Sequence, residues 1–143
     1  MKVERIVVGV DASDNARRAV EWAAGLAASI GAEVVAAHAL GLLERLPGHP
    51  DPVPTHQHRA EVDRLLTEVW CAPLAEAGVR WRAEAREGNP VTVLLSVGDE
   101  LDADLLVVGS RGLGGFPELL LGSTSTQVAQ HSRRPVVIIP AGR

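Results

Sequence analysis

Five short apolar runs alternate along the chain with segments of helical periodicity, and this alternation is the feature that most constrains the fold. The runs are rich in β-branched residues and are bounded by turn signals, a pattern typical of buried strands. It predicts strands over residues 5–11, 33–39, 79–87, 104–110 and 135–140. The segments between them predict helices from Ser13 or Asp14 to Gly31, over 60–76, from Asn89-Pro90 to 101 and over 124–131, with a brief helical turn at 118–121.

A strand–helix alternation of this kind implies an α/β fold with a parallel sheet, helices on both faces and right-handed crossovers. The chain has 143 residues, of which 46% are apolar and 22% are charged. These values favour one globular domain over residues 1–143. The segment 41–58 is rich in Pro and His. We interpret it as a solvated loop that could act as a lid, since nothing makes its histidines converge as metal ligands must.

Charge and hydropathy exclude several classes of partner. The net charge of −4 gives no reason to expect nucleic acid. Apolar runs stay below the roughly 18 residues that a membrane-spanning helix needs, so we expect no membrane association. A single cysteine, Cys71, excludes an intrachain disulfide framework. Together with a strand that begins almost at the N-terminus, these features predict a soluble cytoplasmic protein.

A glycine-rich stretch, GSRGLGGFPELLLGSTS, follows the fourth predicted strand. Backbone N–H groups that lack side chains can converge on phosphate oxygens, and a helix that begins just afterwards adds its unpaired N–H groups. In an open parallel sheet, ligands bind beyond the carboxyl ends of the strands, where the strand order reverses. The first strand ends at Asp11, so Asp11 and the glycine loop share one crevice if the first and fourth strands are neighbours.

These residues also have plainer interpretations, which the spacing alone leaves open. Gly122 and the hydroxyls after it could form an ordinary turn and helix cap, and Asp11 could form the first-loop turn or cap the first helix. Arg111 could contact a phosphate or point to solvent. His38, in an apolar strand, is better interpreted as a hydrogen-bonded core histidine than as a catalyst.

Two better-known phosphate-binding motifs are excluded. A Walker A loop is excluded because Lys2 is the only lysine, and the Rossmann fingerprint is excluded because GxGxxG does not follow the first strand.

The stretch Gly109-x-x-Gly112, nine residues, Gly122-Ser123 resembles the G-2x-G-9x-G(S/T) motif of the ATP-binding branch of the universal stress protein family. The flanking runs VVGVD, LLLGSTS and RPVVIIP fit the same family, so the resemblance covers essentially the whole chain. It implies a Rossmann-like fold of the adenine nucleotide alpha hydrolase type. The expected sheet has five parallel strands in the order 3-2-1-4-5, which makes the first and fourth strands neighbours.

The resemblance also implies ATP as the ligand, with Mg²⁺ carried by the nucleotide. Asp11 would serve the adenosine end, and the backbone of Ala39 would meet the adenine edge, although the family often has a larger Val there. Arg111 is the only cation that the motif itself supplies. The remaining pocket and phosphate contacts would come from Val108, Gly109, Gly112, Gly122, Ser123, Thr124 and Ser125.

We therefore expect an ATP-binding module for stress response or signalling rather than an efficient enzyme, since no lysine or general base lies near the phosphates in sequence. The alternatives are a nucleotide-free protein-interaction module on the same fold and a slow ATPase. An apolar last strand, VVII, would be an aggregation-prone edge. Pairing with its own copy would remove that edge, so we expect a homodimer through this strand.

Overall fold

A computed structural model describes residues 1–111 and 121–142, and within them the predicted alternation is confirmed. The strands are β1 (Arg5–Gly9), β2 (Glu33–Leu40), β3 (Leu43–Glu44), β4 (Val53–Pro54), β5 (Trp81–Glu87), β6 (Leu105–Gly109) and β7 (Val136–Ile139). The α-helices are α1 (Asp14–Ile30), α2 (Arg59–Leu65), α3 (Ala72–Glu76), α4 (Pro90–Glu100) and α5 (Ser123–His131). The helical turn predicted at 118–121 lies outside the described residues, except for Leu121, which is in no helix.

The main sheet is parallel and has the order β5-β2-β1-β6-β7. Counting only its own five strands, this is the expected order 3-2-1-4-5. Strand β1 lies at the centre, with Gly9 paired to Ala37 of β2 and Val8 paired to Val107 of β6. The order reverses at β1, so the ends of β1 and β6 are neighbours, as the crevice requires.

Helices cover both faces of this sheet, as predicted. On one face, α1 and α3 bury Ala23 and Leu74 against Val8 and other residues of the strands. On the other face, α4 and α5 contribute Val97 and Val128 to a second core. Strands β1, β2 and β6 are buried on both sides and consist of nearly continuous apolar residues, as is usual for central parallel strands.

The ends of α1 and α4 follow from their capping residues. Ser13 caps α1 and accepts a hydrogen bond from the backbone N of Ala16 at 3.1 Å. Gly31 ends α1 in the left-handed region at φ 76°, where glycine pays no steric penalty. Asn89 caps α4 ahead of Pro90, which occupies the first turn as predicted.

The helix predicted over 60–76 is interrupted. It divides into α2, a wider helical turn at Leu66–Trp70 and the short α3. The wide turn is closed by Cys71, whose N–H donates to the carbonyl of Leu66, five residues back, at 3.0 Å. Pro73 explains the interruption, because it lacks an N–H and its ring would clash with the carbonyl four residues earlier.

The Pro- and His-rich segment contains more structure than the predicted loop. The short strands β3 and β4 pair as an antiparallel hairpin, with Glu44 opposite Val53. His49 lies 3.6 Å from the Glu61 carboxylate, and its ring contacts the ring of His58 edge-on. Across residues 1–111 and 121–142, no group of three or more His, Cys, Asp or Glu side chains is arranged to hold a metal ion. No helix in this part of the chain is long and apolar enough to cross a membrane.

Candidate functional site

A cleft opens at the carboxyl ends of β1, β2 and β6, where the strand order reverses. It encloses about 620 Å³ of empty space, part of which is open to solvent. Small residues of the strands, Gly9, Ala37 and Ala39, contribute to its lining, and Val93 and Leu94 of α4 form an apolar wall. A cleft lined by both apolar residues and polar groups suits a ligand that has both an apolar ring and a charged part.

Most of the residues that the sequence singled out meet in this cleft. Those that line it are Asp11, Ala39, Val108, Gly109, Arg111, Gly122, Thr124 and Ser125. Ser123 does not line it: its hydroxyl is exposed and accepts a hydrogen bond from Nε2 of Gln127 at 3.1 Å. Gly112 lies outside the described residues, so its predicted role stays a prediction.

Helix α5 begins at the rim of the cleft. Its N-cap is Gly122, which has no side chain to satisfy the first N–H groups of the helix. No residue within the described ranges accepts a hydrogen bond from the N–H groups of Ser123, Thr124 or Ser125. These groups and the positive end of the helix dipole make the start of α5 favourable for an anion.

The carbonyl of Ser110 holds this helix end against β6. It accepts hydrogen bonds from the backbone N of Gly122 and from Oγ of Ser125, the latter at 2.8 Å. Ser125 is buried, and its hydroxyl also lies 3.1 Å from the Gly122 carbonyl. Its proton is therefore directed into the protein, and the backbone N–H is the donor that Ser125 can offer to a ligand. Thr124 is half-buried in the cleft and keeps its hydroxyl available.

Asp11 forms the turn after β1 and also lines the cleft. Its Oδ1 accepts a hydrogen bond from the backbone N of Ser13 at 2.8 Å, which forms the turn that leads into α1. This is the plainer role that the sequence left open. The second carboxylate oxygen has no hydrogen-bond partner among the described residues, and Asp11 lines the cleft. Asp11 can therefore form the turn and still accept hydrogen bonds from a ligand.

Asn15, which the sequence did not single out, connects three elements behind the cleft. Its Oδ1 accepts hydrogen bonds from the backbone N of Arg111 at 2.7 Å and from Oγ of Ser110 at 3.1 Å. Its Nδ2 donates to the carbonyl of Ile139 at 3.0 Å. Asn15 is only 8% exposed. A polar residue in the first turn of a helix carries no signal of such distant contacts, so sequence reasoning could not have found it.

The pairing of β1 with β2 ends inside the cleft. Its last bond runs from the backbone N of Val10 to the carbonyl of Ala37, at 2.9 Å. Peptide groups along a strand point alternately to its two sides, so those of Ala39 point to the same side as those of Ala37. Since β1 has turned away there, the Ala39 N–H and C=O have no backbone partner on that side among the described residues. At this edge of β2, the cleft thus presents the N–H of Ala39 as a free donor and its C=O as a free acceptor.

His38 is the hydrogen-bonded core histidine that the sequence predicted. It is 3% exposed, with Nδ1 2.8 Å from the Val10 carbonyl and Nε2 2.9 Å from Oε1 of Glu44. Burial disfavours the imidazolium, but the hydrogen bonds to Glu44 and Val10 and the negative charges of Glu44 and Asp11 outweigh it. The pKa of His38 is therefore raised above its ordinary value.

Comparison with known proteins is consistent with this geometry. The family model of the Universal stress protein family matches residues 2–140. The universal stress protein YxiE of Bacillus subtilis (strain 168) is 33% identical over 145 residues, covering 94% of this chain and 97% of the relative. A universal stress protein in complex with cAMP is 33% identical with a TM-score of 0.73, covering 97% of this chain and 98% of that one. One from Archaeoglobus fulgidus in complex with dAMP is 25% identical with a TM-score of 0.69, covering 97% and 99%.

Proposed function

The chain belongs to the universal stress protein family, and on this premise we propose that it is an ATP-binding module for stress response or signalling. The nucleotide would lie between the end of β1 and the start of α5. Family structures that hold cAMP and dAMP support nucleotide binding in general. The choice of ATP comes from the spacing of Gly109, Gly112 and Gly122, which resembles the family's ATP-binding motif.

One observation carries the proposal: the cleft combines a helix N-terminus that has no side-chain cap with an apolar wall. The unpaired N–H groups of Thr124 and Ser125 favour phosphate at the α5 end. The apolar side chains of Val93 and Leu94 of α4, with the small residues of the strands, offer an apolar surface that could cover a ring. A ligand that satisfies both ends carries a ring system and a phosphate chain, which is the composition of a nucleotide.

The nucleoside end follows from Asp11 and Ala39. The free N–H and C=O of Ala39 match the acceptor and donor that an adenine edge presents side by side. The Asp11 carboxylate would repel phosphates, but it can accept hydrogen bonds from ribose hydroxyls. This sets the polarity of the nucleotide, with the base toward β2 and the phosphates toward α5.

We expect the nucleotide to be held rather than rapidly cleaved. Arg111 is the cation of the described cleft lining, and the chain's only lysine, Lys2, is at the far N-terminus. Mg²⁺, arriving with the phosphates, would supply charge neutralisation there, and Thr124, which lines the cleft, would offer its hydroxyl as a further ligand. Bound ATP would then act as a ligand that controls contacts of the protein with its partners.

Titration calorimetry with ATP and Mg²⁺, compared with GTP, AMP and cAMP, tests the proposal. We expect saturable binding of ATP at one site per chain and weaker binding of GTP, whose edge reverses the donor and acceptor that meet Ala39. Folded protein that fails to bind ATP at hundreds of micromolar would overturn the proposal in favour of a nucleotide-free interaction module. ATP turnover that persists through extensive purification would instead favour the slow ATPase.

The glycine at the start of α5 offers a specific control. Gly122→Val would introduce a branched side chain into the proposed phosphate path, so ATP binding should be lost while the circular dichroism spectrum is retained. Ala129→Val, on the exposed side of the same helix, adds a similar bulk away from the cleft and should leave binding unchanged. Equal binding by the Gly122 variant would contradict the assignment of phosphate to this helix end.

We also propose that the protein forms a homodimer through β7. This strand pairs with β6 on one side only, and its other edge is unpaired within the described chain. Val136, Val137 and Ile138 are only partly buried, although they are apolar. Pairing between two copies about a twofold axis would cover both edges.

A further inference from the structure

The hydrogen-bond ladder between β1 and β2 stops one step early. It begins with Glu33 N donating to Glu4 O at 2.9 Å and ends with Val10 N donating to Ala37 O at 2.9 Å. Parallel strands exchange evenly spaced bonds, so in this register the next bond would run from Ala39 N to Val10 O. That bond is not made. The Val10 carbonyl instead faces Nδ1 of His38, at 2.8 Å.

The His38 ring is fixed at both ends. A carbonyl oxygen only accepts hydrogen bonds, so Nδ1 must carry the proton that it donates to Val10. Nε2 contacts Oε1 of Glu44, which belongs to the β3–β4 hairpin. The centroid of the Trp70 ring lies 5.1 Å from that of the imidazole, with the two rings tilted by 50°, and the Trp70 ring limits the movement of the imidazole. The hairpin therefore orients a ring whose other side holds the end of β1.

We propose that His38 is a positioning residue for base recognition: it binds the Val10 carbonyl and so keeps the Ala39 N–H unpaired and available to the ligand. The inference rests on the proposed function, because it assigns the base edge to Ala39. Glu44 supports this role by holding the ring, which gives the β3–β4 hairpin a part in the site without direct contact with the nucleotide.

The effect on binding follows from one exchanged hydrogen bond. Without the imidazole, the Val10 carbonyl is free to accept from Ala39 N–H, and the ligand must then displace it. One backbone hydrogen bond contributes a net effect of about two- to tenfold on an equilibrium. Nucleotide affinity should fall by about that factor. The fall should be larger in variants in which the bond from Ala39 N–H to the Val10 carbonyl is formed more completely.

Three substitutions separate the two ends of the ring. His38→Asn retains a donor near the position of Nδ1, His38→Gln retains a polar group near Nε2, and His38→Leu retains neither. Each is made in a Glu44→Gln background, so that no carboxylate is left buried without its partner. The Glu44→Gln protein is the reference.

The first measurement uses ligand-free protein. NMR detects the Ala39–Val10 bond as slowed exchange of the Ala39 amide and as scalar coupling between its nitrogen and the Val10 carbonyl carbon. We expect the bond in the Leu and Gln variants and not in the reference or the Asn variant. An Ala39 amide equally protected in the reference and in His38→Leu would overturn the proposal, whether or not the protein binds nucleotide.

The second measurement is ATP affinity by calorimetry in the same four proteins. We expect weaker binding by about two- to tenfold in the Leu and Gln variants, with the Asn variant close to the reference. If His38 contributed only to stability, all three substitutions would lower the free energy of unfolding. The ATP affinities of the Asn and Gln variants would then not differ. Unchanged affinity despite a closed ladder would overturn the role in base recognition. If the reference itself binds no ATP, the proposed function fails, while the NMR result still decides what His38 does to the ladder.

Discussion

A Cβ atom at Gly109 would lie 2.9 Å from Cγ of Asn15 and 3.0 Å from its backbone oxygen. The first glycine of the glycine-rich stretch is therefore required by the close approach of α1 to β6. This explains one glycine of the motif by packing within the protein rather than by contact with a ligand.

Gly109→Ala should destabilise the protein, because the contact involves backbone atoms that cannot move aside. We expect a loss of about 1–3 kcal/mol in the free energy of unfolding, measured by urea denaturation. Gly25→Ala is the matched control: it lies within α1 and its Cβ would meet no atom within 4 Å. It should gain about 0.5–1 kcal/mol from helix propensity. Equal stability of Gly109→Ala and the natural protein would contradict the packing argument.

Asn15→Ala should cost about 3 kcal/mol of unfolding free energy, because it removes the acceptor of the buried Ser110 hydroxyl and breaks two further hydrogen bonds. The two further bonds are the one from the Arg111 N–H and the one to the Ile139 carbonyl, which still accepts from the Ser110 N–H. ATP affinity should fall as well, since Arg111 would no longer be held at the cleft. Asn89→Ala removes only a local contact to Thr92 N and should cost about 1 kcal/mol without changing affinity. Similar effects of the two substitutions would contradict the connecting role of Asn15.

The strands could be predicted because they depend on local patterns, whereas their order came from the resemblance to the family. Nearly continuous apolar runs such as those of β1 and β6 indicate burial on both faces of the sheet, and the spacing of the glycines indicates the family. The contacts behind the cleft could not be predicted, because Asn15 and Ile139 are 124 residues apart and neither has a distinctive local pattern. The β3–β4 hairpin was also missed, since two-residue strands are too short for alternation to appear.

Most of the residues predicted for the site line one cleft, but the structure differs in the atoms that they make available there. Ser125 was expected as a hydroxyl donor, yet its hydroxyl donates to Ser110 and Gly122 within the protein. Ser123 was expected beside the phosphates, yet it does not line the cleft. Sequence identifies residue types that can contact phosphate, whereas the direction of a hydroxyl depends on where the helix starts and on which carbonyls are nearby.

Asp11→Asn should weaken ATP binding by about tenfold without loss of stability. The amide oxygen can still accept from Ser13 N and form the turn, but a neutral oxygen accepts ribose hydroxyls less strongly than a carboxylate. Calorimetry with ATP and with 2′,3′-dideoxy-ATP is the measurement. The natural protein should discriminate strongly between the two ligands and the variant should not. Equal discrimination by both proteins would show that Asp11 does not contact the ribose.

The His38–Glu44 pair should make stability depend on pH. Because the pKa of folded His38 is raised above its ordinary value of 6.5, its contribution to stability is fully present below that value. It is lost as the pH rises through the folded-state pKa. Glu44 on the hairpin and Asp11 after β1 are the charged groups that act on the ring, and Trp70, which packs against it, does not titrate.

Urea denaturation across this pH range should therefore show a decline in the free energy of unfolding. The decline should be smaller in Glu44→Gln, which removes the hydrogen bond to a carboxylate. His131→Gln, at the exposed end of α5, should keep the profile of the natural protein. A profile that is the same in Glu44→Gln would show that the pair is not the source of the pH dependence.

The dimer predicted through β7 can be tested with two proline substitutions, which are chosen from the direction of the peptide groups in this strand. The carbonyls of Pro135 and Ile139 accept hydrogen bonds from β6, so the peptide groups of Val136 and Ile138 point away from the sheet. Ile138→Pro removes an outward N–H and should give a folded monomer, since proline is tolerated on edge strands. Val137→Pro removes an N–H that faces β6 and should reduce stability instead.

Sedimentation should show a dimer for the natural protein at micromolar concentration and a monomer for Ile138→Pro. A natural protein that sediments only as a monomer would count against the interface.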